Sequence, residues 1–186
     1  QVVIAEPTGC RAVLGHRGFL SVKTWFEGEP GHSSEARALE DNALHQAARW
    51  AAAALDVAAS RKRSAEDPGS CLNLGILQGG SKSNVIAGDA FMHWSARLRP
   101  GESNDAFLDE IRGCVAPGSR VRWEVPFKGE PLPAGGRDDH EATVLCRRHG
   151  VPAAEPVDFW TEASLFSAAG LPALKLCRAG LAQARP

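Results

Sequence analysis

The sequence has almost no net charge: 21 Lys and Arg stand against 22 Asp and Glu, a formal charge of -1. A dedicated nucleic-acid binder carries a strongly basic face, so this balance argues against one. No apolar run approaches the ~20 residues that a membrane-spanning helix needs. The opening "QVVIAEPTG" lacks the basic region and the apolar length of a secretory leader. Cysteine is present but unpaired in pattern. Cys10, Cys71, Cys114, Cys146 and Cys177 are odd in number, far apart and never C-x-x-C. That leaves no basis for a disulfide framework or a zinc knuckle, and reduced thiols in a cytoplasmic protein are the simplest reading. Internal repeats and low-complexity tracts are missing too. What remains is 186 residues, 44% of them hydrophobic, which suits one or two compact domains.

Periodicity then divides the chain. "VVIAEP" reads as a buried strand already under way at Gln1. A piece of a larger protein is expected to open so, and a processed or trimmed terminus would leave the same trace. In "GFLSVKTWFE", residues 18–27, Leu20, Val22, Thr24 and Phe26 point one way and Ser21, Lys23 and Glu27 the other, the period of a strand. "LEDNALHQAARWAAAALDVAAS" carries Leu44, Ala47, Ala48, Ala51, Leu55 and Ala58 on one stripe and predicts an amphipathic helix capped by Asp41. The run containing Arg61, Lys62 and Arg63 reads as a solvated loop. "CLNLGILQGG" predicts a short strand and "GGSKSN" a turn. "VIAGDAFMHWSARLR" predicts a long strand with Ala90, Met92, Trp94, Ala96 and Leu98 on one face and His93, Ser95, Arg97 and Arg99 on the other. A helix capped by Ser103 follows, with Phe107, Leu108, Ile111 and Val115 as its stripe, and then the strand "RVRWEV".

The order β-α-β-β-α-β from Arg17 to Phe127 predicts a ferredoxin-like sandwich, two layers with both helices on one face of the sheet. After the Pro/Gly-rich "KGEPLPAGGR" the texture changes. "DDHEATVLCRRHG" and "TEASLFSAAG" read as helices with Gly stops, and "PALKLC" as a buried strand. With the opening strand they fit an incomplete α/β layer into which the sandwich is inserted. The expected fold is therefore α+β: residues 1–16 as one piece of an α/β domain, 17–128 as the ferredoxin-like insert, and 129–186 as the return segment.

One residue stands out in the connections. "GEPGHSSEARAL", residues 28–39, sets His32 between a Gly-Pro-Gly turn and two serines, on the hinge between strand and helix. Loops held out by a scaffold carry function more often than cores do. By local chemistry alone, though, one histidine makes no site. Likewise Glu6, at the end of a strand and fixed by Pro7, is either a hard oxygen donor or a carboxylate facing water.

Four motifs stand in one order: "AEPTG", "GEPGHSSEA", "QGGSKSNVIAGDAFMHWSARLRPGE" and "VDFWTEASLFSAAG". Together, and around a ferredoxin-like insert, they resemble the M20 family of metal-dependent amidohydrolases, its acetylornithine and acetylcitrulline deacetylases in particular. The resemblance covers nearly the whole chain but only the later half of a family member. It implies a catalytic α/β domain with two zinc or cobalt ions, interrupted by the sandwich as a lid and dimerisation domain. Glu6 then matches a metal ligand. His32 matches the histidine that crosses the dimer and donates a hydrogen bond to the oxyanion in the partner's site, a contact worth ~3 kcal/mol. Asn84 matches a substrate contact and Arg99 an arginine that binds the substrate carboxylate, which a guanidinium does bidentately. Thr161, Glu162 and Ser164 match the substrate loop of the deacetylases. Arg97 reads as a surface charge.

Two departures bear on activity. The family's His-x-Asp pair, bridging Asp and Glu-Glu pair precede the "EPT" strand and are not in this sequence. A metal site needs three or more ligands, so Glu6 alone builds none and no tightly bound metal is expected. At the other end Arg185 of "AQAR" stands where the family has a ligating histidine, and "CRAG" replaces its glycine-rich turn. Truncation, a frameshift or a partial record would each explain both ends. The resemblance implies hydrolysis of the amide of a small N-acyl amino acid by a cytoplasmic homodimer that takes neither nucleic acid nor membrane as partner. The isolated chain is expected to be inactive. Rival readings are a non-catalytic ferredoxin-like dimerisation or ligand-binding module and, within the family, a dipeptidase or succinyl-diaminopimelate desuccinylase.

Overall fold

The computed structural model describes residues 2–61, 64, 69–133 and 140–176. Lys62, Arg63, Cys177, Arg185 and the "CRAG" stretch therefore lie outside the described residues. Along the chain run β1 (Val2–Ile4), β2 (Ala12–Val13), β3 (Phe19–Glu27), β4 (Gly31–His32), a single 3-10 turn (Ala36–Leu39) and α1 (Ala43–Ser60). Then come β5 (Cys71–Gly79), β6 (Val85–Ile86), β7 (Asp89–Arg97), α2 (Asn104–Arg112) and β8 (Arg120–Gly129). The chain continues through α3 (His140–Arg148), β9 (Ala153–Ala154), α4 (Ala163–Ala168) and β10 (Ala173–Lys175). Among the described residues three sheets form, in the orders β1-β10-β2-β9, β5-β7-β3-β8 and β4-β6. The elements fall into two compact units. One takes up Gln1–Phe19, Arg97–Asn104 and Gly129–Pro186, and the other Leu20–Ala96 with Asp105–Lys128. No described helix is long and apolar enough to cross a membrane.

The second unit is organised by the pairing of β3 with β7. The two run antiparallel, with Leu20 opposite Ala96, Val22 opposite Trp94, Thr24 opposite Met92 and Phe26 opposite Ala90. All eight are buried, so the alternation read from the sequence is the alternation of the core. Trp50 of α1 packs against Phe26, Trp94 and Trp123, with ring centroids 5.9, 5.8 and 5.6 Å away. Buried indole N–H groups need acceptors. Trp50 donates to the Ile111 carbonyl at 3.0 Å, and Trp94 to Thr24 Oγ1 at 3.0 Å. The first of these bonds ties α1 to α2, whose Phe107, Leu108 and Ile111 are buried as the sequence pattern requires.

Several local expectations shift. The cap of α1 is Asn42, whose side-chain oxygen accepts from the Leu44 and His45 N–H groups. The Asp41 carboxylate accepts from Arg37 instead. The buried stripe of α1 is Ala43, Ala47, Trp50, Ala51 and Ala54, and Leu55 is exposed. The large indole, not the leucines, selects the inward face of an alanine-rich helix. The long strand expected from Val85 breaks at Ala87–Gly88 into β6 and β7. "CLNLGILQG" is a full nine-residue strand.

In the first unit β1 runs parallel to β10, β10 antiparallel to β2, and β2 parallel to β9. Neighbouring residues of β10 face opposite ways. Leu174 packs with Ala12 and with Ala142 and Cys146 of α3, while Ala173 packs with Leu132 and with Ala163 of α4. Helices thus cover both faces of this small sheet, the layering of an α/β domain. β1 ends the strand order and leaves Val3 54% exposed, so it is not the buried strand that its apolar run suggests.

Candidate functional site

In the second unit the loop after β3 is pinned at every turn. Gly28 donates to the Gly88 carbonyl at 2.8 Å, and Glu29 to that of Asp41 at 3.0 Å. A Cβ on Gly28 would run into the Asp41 and Ala87 carbonyls, so only glycine lets the chain pass there. β4 then pairs antiparallel with β6, Gly31 opposite Ile86 and His32 opposite Val85. The Ser33 N–H continues the contact by donating to the Asn84 carbonyl at 3.1 Å. Two residues that the resemblance assigns to the site, His32 and Asn84, are thereby brought side by side, and both are exposed.

Beneath the histidine lies an ionic clamp. The His32 N–H donates to Glu35 Oε1, and Arg37 Nε donates to Glu35 Oε2 at 2.8 Å. Arg37 Nη1 reaches the Glu29 carbonyl at 2.9 Å and Asp41 Oδ2 at 3.3 Å, and Nη2 reaches the Pro30 carbonyl at 3.0 Å. The His32 N–H and then Arg37 hold the Glu35 carboxyl below its ordinary range. Glu35 in turn holds the Arg37 guanidinium above its own. On the imidazole, Nδ1 sits 2.8 Å from Ser34 Oγ and 3.3 Å from the Ser34 N–H.

The other assigned residues belong to the first unit. Thr161 and Ser164 are buried, and Glu162 is exposed at the N-terminus of α4. Ser164 Oγ accepts from Trp160 Nε1 at 2.9 Å and donates to the Thr161 carbonyl at 3.3 Å, so its hydroxyl shapes the loop. Arg99 is half-buried, and its backbone N–H donates to Glu102 at 2.9 Å.

Two further residues of this unit escape the sequence reading. His16 is fully buried, its ring edge-on to Trp160 at 6.5 Å. Its Nδ1–H donates to the Arg17 carbonyl at 2.7 Å, while Nε2 has no hydrogen-bond partner. Burial pushes its pKa down to about 4; Lys175 adds to that, and the Arg17 and Thr161 backbone groups oppose it. Lys175 is also fully buried, its Nζ unpartnered by hydrogen bonds and 4.5 Å from the centre of the Phe159 ring. Burial pushes its ammonium down to about 8 against the pull of Glu6. The Thr161 hydroxyl is another buried polar atom without a hydrogen-bond partner. The signals were a histidine in "LGHRG" and a lysine inside the apolar "PALKLC".

Glu6 follows β1, half-buried, and the charge that acts on Lys175 is its carboxylate. A lysine ammonium is no metal ligand. Among the described residues no three His, Cys, Asp or Glu side chains come together to hold a metal ion. The described residues therefore do not fit the metal centre that the family resemblance implies.

Comparison with known proteins closes the picture. The family model described as the M20 peptidase dimerisation domain matches residues 14–120. An N-acetyl-L-citrulline deacetylase of Xanthomonas campestris is 39% identical over 190 aligned positions, covering 98% of this chain and 52% of that protein. An acetylornithine deacetylase of Vibrio vulnificus is 28% identical over 87% of this chain and 45% of its own length. The chain thus spans about half the length of the curated relatives it matches. Among solved structures, the aminopeptidase PepT of Bacillus cereus superposes with a TM-score of 0.66 at 18% identity, over 93% of this chain and 46% of that one. An aminobenzoyl-glutamate utilization protein of Klebsiella pneumoniae gives 0.61 at 21%, over 95% and 49%.

Proposed function

Because the chain belongs to the M20 peptidase family, whose dimerisation domain it carries, we propose that it is part of a metal-dependent deacetylase. The complete enzyme hydrolyses the amide of an N-acyl amino acid of the acetylcitrulline or acetylornithine type. The similarity to deacetylases of both substrates supports the class. The sheet order β5-β7-β3-β8, with α1 and α2 in the order of a split βαβ pair, supports a ferredoxin-like lid over 17–128. Residues 1–16 and 129–186 are then pieces of the α/β hydrolase domain.

The single observation that carries this reading is the seat of His32: exposed, pinned by a strand ladder and an ionic clamp, beside Asn84, on a domain of the dimerising type. In the complete homodimer His32 donates to the oxyanion of the partner's site. Asn84, Arg99 and Glu162 meet the substrate, the buried Thr161 and Ser164 shape the loop that carries Glu162, and Glu6 would be one ligand of a zinc or cobalt ion together with residues from the rest of the enzyme.

The test is kinetic. In the complete enzyme His32→Ala lowers kcat on the order of a hundredfold or more while KM changes little, because the bond strengthens in the transition state. Mixed dimers of His32→Ala with Glu6→Ala regain activity, since one site keeps its metal and receives an intact histidine from its neighbour. Mixed dimers that regain nothing, from parents that are folded and dimeric, remove His32 from the trans role.

A further inference from the structure

We propose that Ser34 is a positioning residue that fixes His32 as the Nε2–H tautomer, while Glu35 and Arg37 hold the backbone beneath the ring. The proposal rests on His32 being the oxyanion donor and goes one step deeper, to how the ring is kept ready. A neutral imidazole has one N–H and one bare nitrogen, and the hydrogen bonds of one nitrogen decide the state of the other. The Ser34 backbone N–H can only donate, and it points at Nδ1 from 3.3 Å. Nδ1 must therefore be the acceptor. The Ser34 hydroxyl, 2.8 Å from the same nitrogen, turns freely and gives it a second hydrogen. With two donors on Nδ1, the ring proton resides on Nε2. The exposed nitrogen is then a standing donor, as stabilising a developing oxyanion requires.

The arrangement works only if the ring cannot drift away from Ser34. Position 32 is held on one side by the pairing of β4 with β6 and on the other by the bond from its N–H to Glu35. Glu35 is held by Arg37, which also grips the Glu29 and Pro30 carbonyls ahead of the histidine. Gly31 makes this possible: a Cβ there would occupy the space of the Arg37 and Glu35 side chains. The clamp thus sets where the ring is, and Ser34 sets which nitrogen carries the proton.

The test labels the histidines of this chain with nitrogen-15 and reads long-range proton–nitrogen correlations across an alkaline pH series, at the end where the ring shifts no longer change. His32 is assigned by the signals lost in His32→Gln. The expected spectrum has a bare, pyridine-type Nδ1 and a protonated, pyrrole-type Nε2. Ser34→Ala keeps the backbone donor and loses the hydroxyl, so the tautomer ratio is expected to fall about fivefold, the equivalent of one net hydrogen bond. Ser34→Thr restores it. In the complete enzyme kcat follows the same order with KM unchanged. A protonated Nδ1 in the native ring, or a Ser34→Ala spectrum identical to the native one, overturns the proposal. The underlying role of His32 fails separately, if His32→Ala leaves full activity while the tautomer is as described.

Discussion

At neutral pH the buried His16 ring is uncharged, with Nδ1–H on the Arg17 carbonyl and Nε2 bare. Its pKa of about 4 lies below the ordinary 6.5. Between these values the unfolded chain binds a proton that the folded chain refuses. Stability is therefore full above about pH 6.5 and drains away as the pH falls toward 4, by at most about 3 kcal/mol for this one group. Asparagine in its place keeps a donor for the Arg17 carbonyl and removes the titration. Denaturant midpoints measured from pH 7 down to pH 4.5 are expected to fall less steeply for His16→Asn than for the native chain. Equal slopes would show that the acid sensitivity lies elsewhere. His16 and Lys175 escaped the sequence reading because burial, not residue type, makes them unusual. The apolar run around Lys175 signalled a buried strand, but the run alone does not say that the lysine head is sealed with it.

Among the elements, the strands were the most legible, since a sheet with one wet face writes its period of two directly into the chain. Leu20, Val22, Thr24 and Phe26 could be read without any structure. The alanine-rich α1 was harder. When most positions are alanine, the inward face is chosen by where one tryptophan fits, and the cap expected at Asp41 moves to Asn42 because Arg37 engages the aspartate. The pairing of His32 with Val85 was not read from the sequence, because nothing local encodes a contact between segments so far apart. The two edges of the sheet β5-β7-β3-β8 also differ. β8 carries Arg120, Arg122, Glu124, Pro126 and Lys128, features that discourage pairing with another chain. β5, "CLNLGILQG", has neither charge nor proline and exposes Ile76 and Leu77 at 45% and 49%. β5 is accordingly the edge expected to meet its copy in the proposed homodimer. The double variant Ile76→Lys, Leu77→Lys is expected to weaken association at least tenfold, read as molar mass against concentration by light scattering. An unchanged dimer would move the interface to another surface.

On the scale of the molecule, the two units differ in what they contribute. The second brings the exposed His32, the proposed donor, on a finished core. The first brings the Glu6 carboxylate and the loop proposed to meet substrate, but no ligand cluster among its described residues. Zinc titrated into this chain is expected to bind weakly and without stoichiometry, since complete structural zinc sites reach ~10 kcal/mol or more and the described residues hold no such ligand set. Calorimetry showing one submicromolar site would contradict this. The tryptophan cluster has an optical consequence. The chain has five tryptophans and no tyrosine, so all of its useful near-ultraviolet emission is indole emission. Trp25, Trp50, Trp94 and Trp123 lie in the second unit, the last three within 6.5 Å of one another as a coupled set of chromophores. Only Trp160 lies in the first. A fluorescence or near-ultraviolet dichroism melt is thus mainly a melt of the second unit. The first could lose its structure earlier with little change in signal, and the trace would still resemble a single cooperative transition.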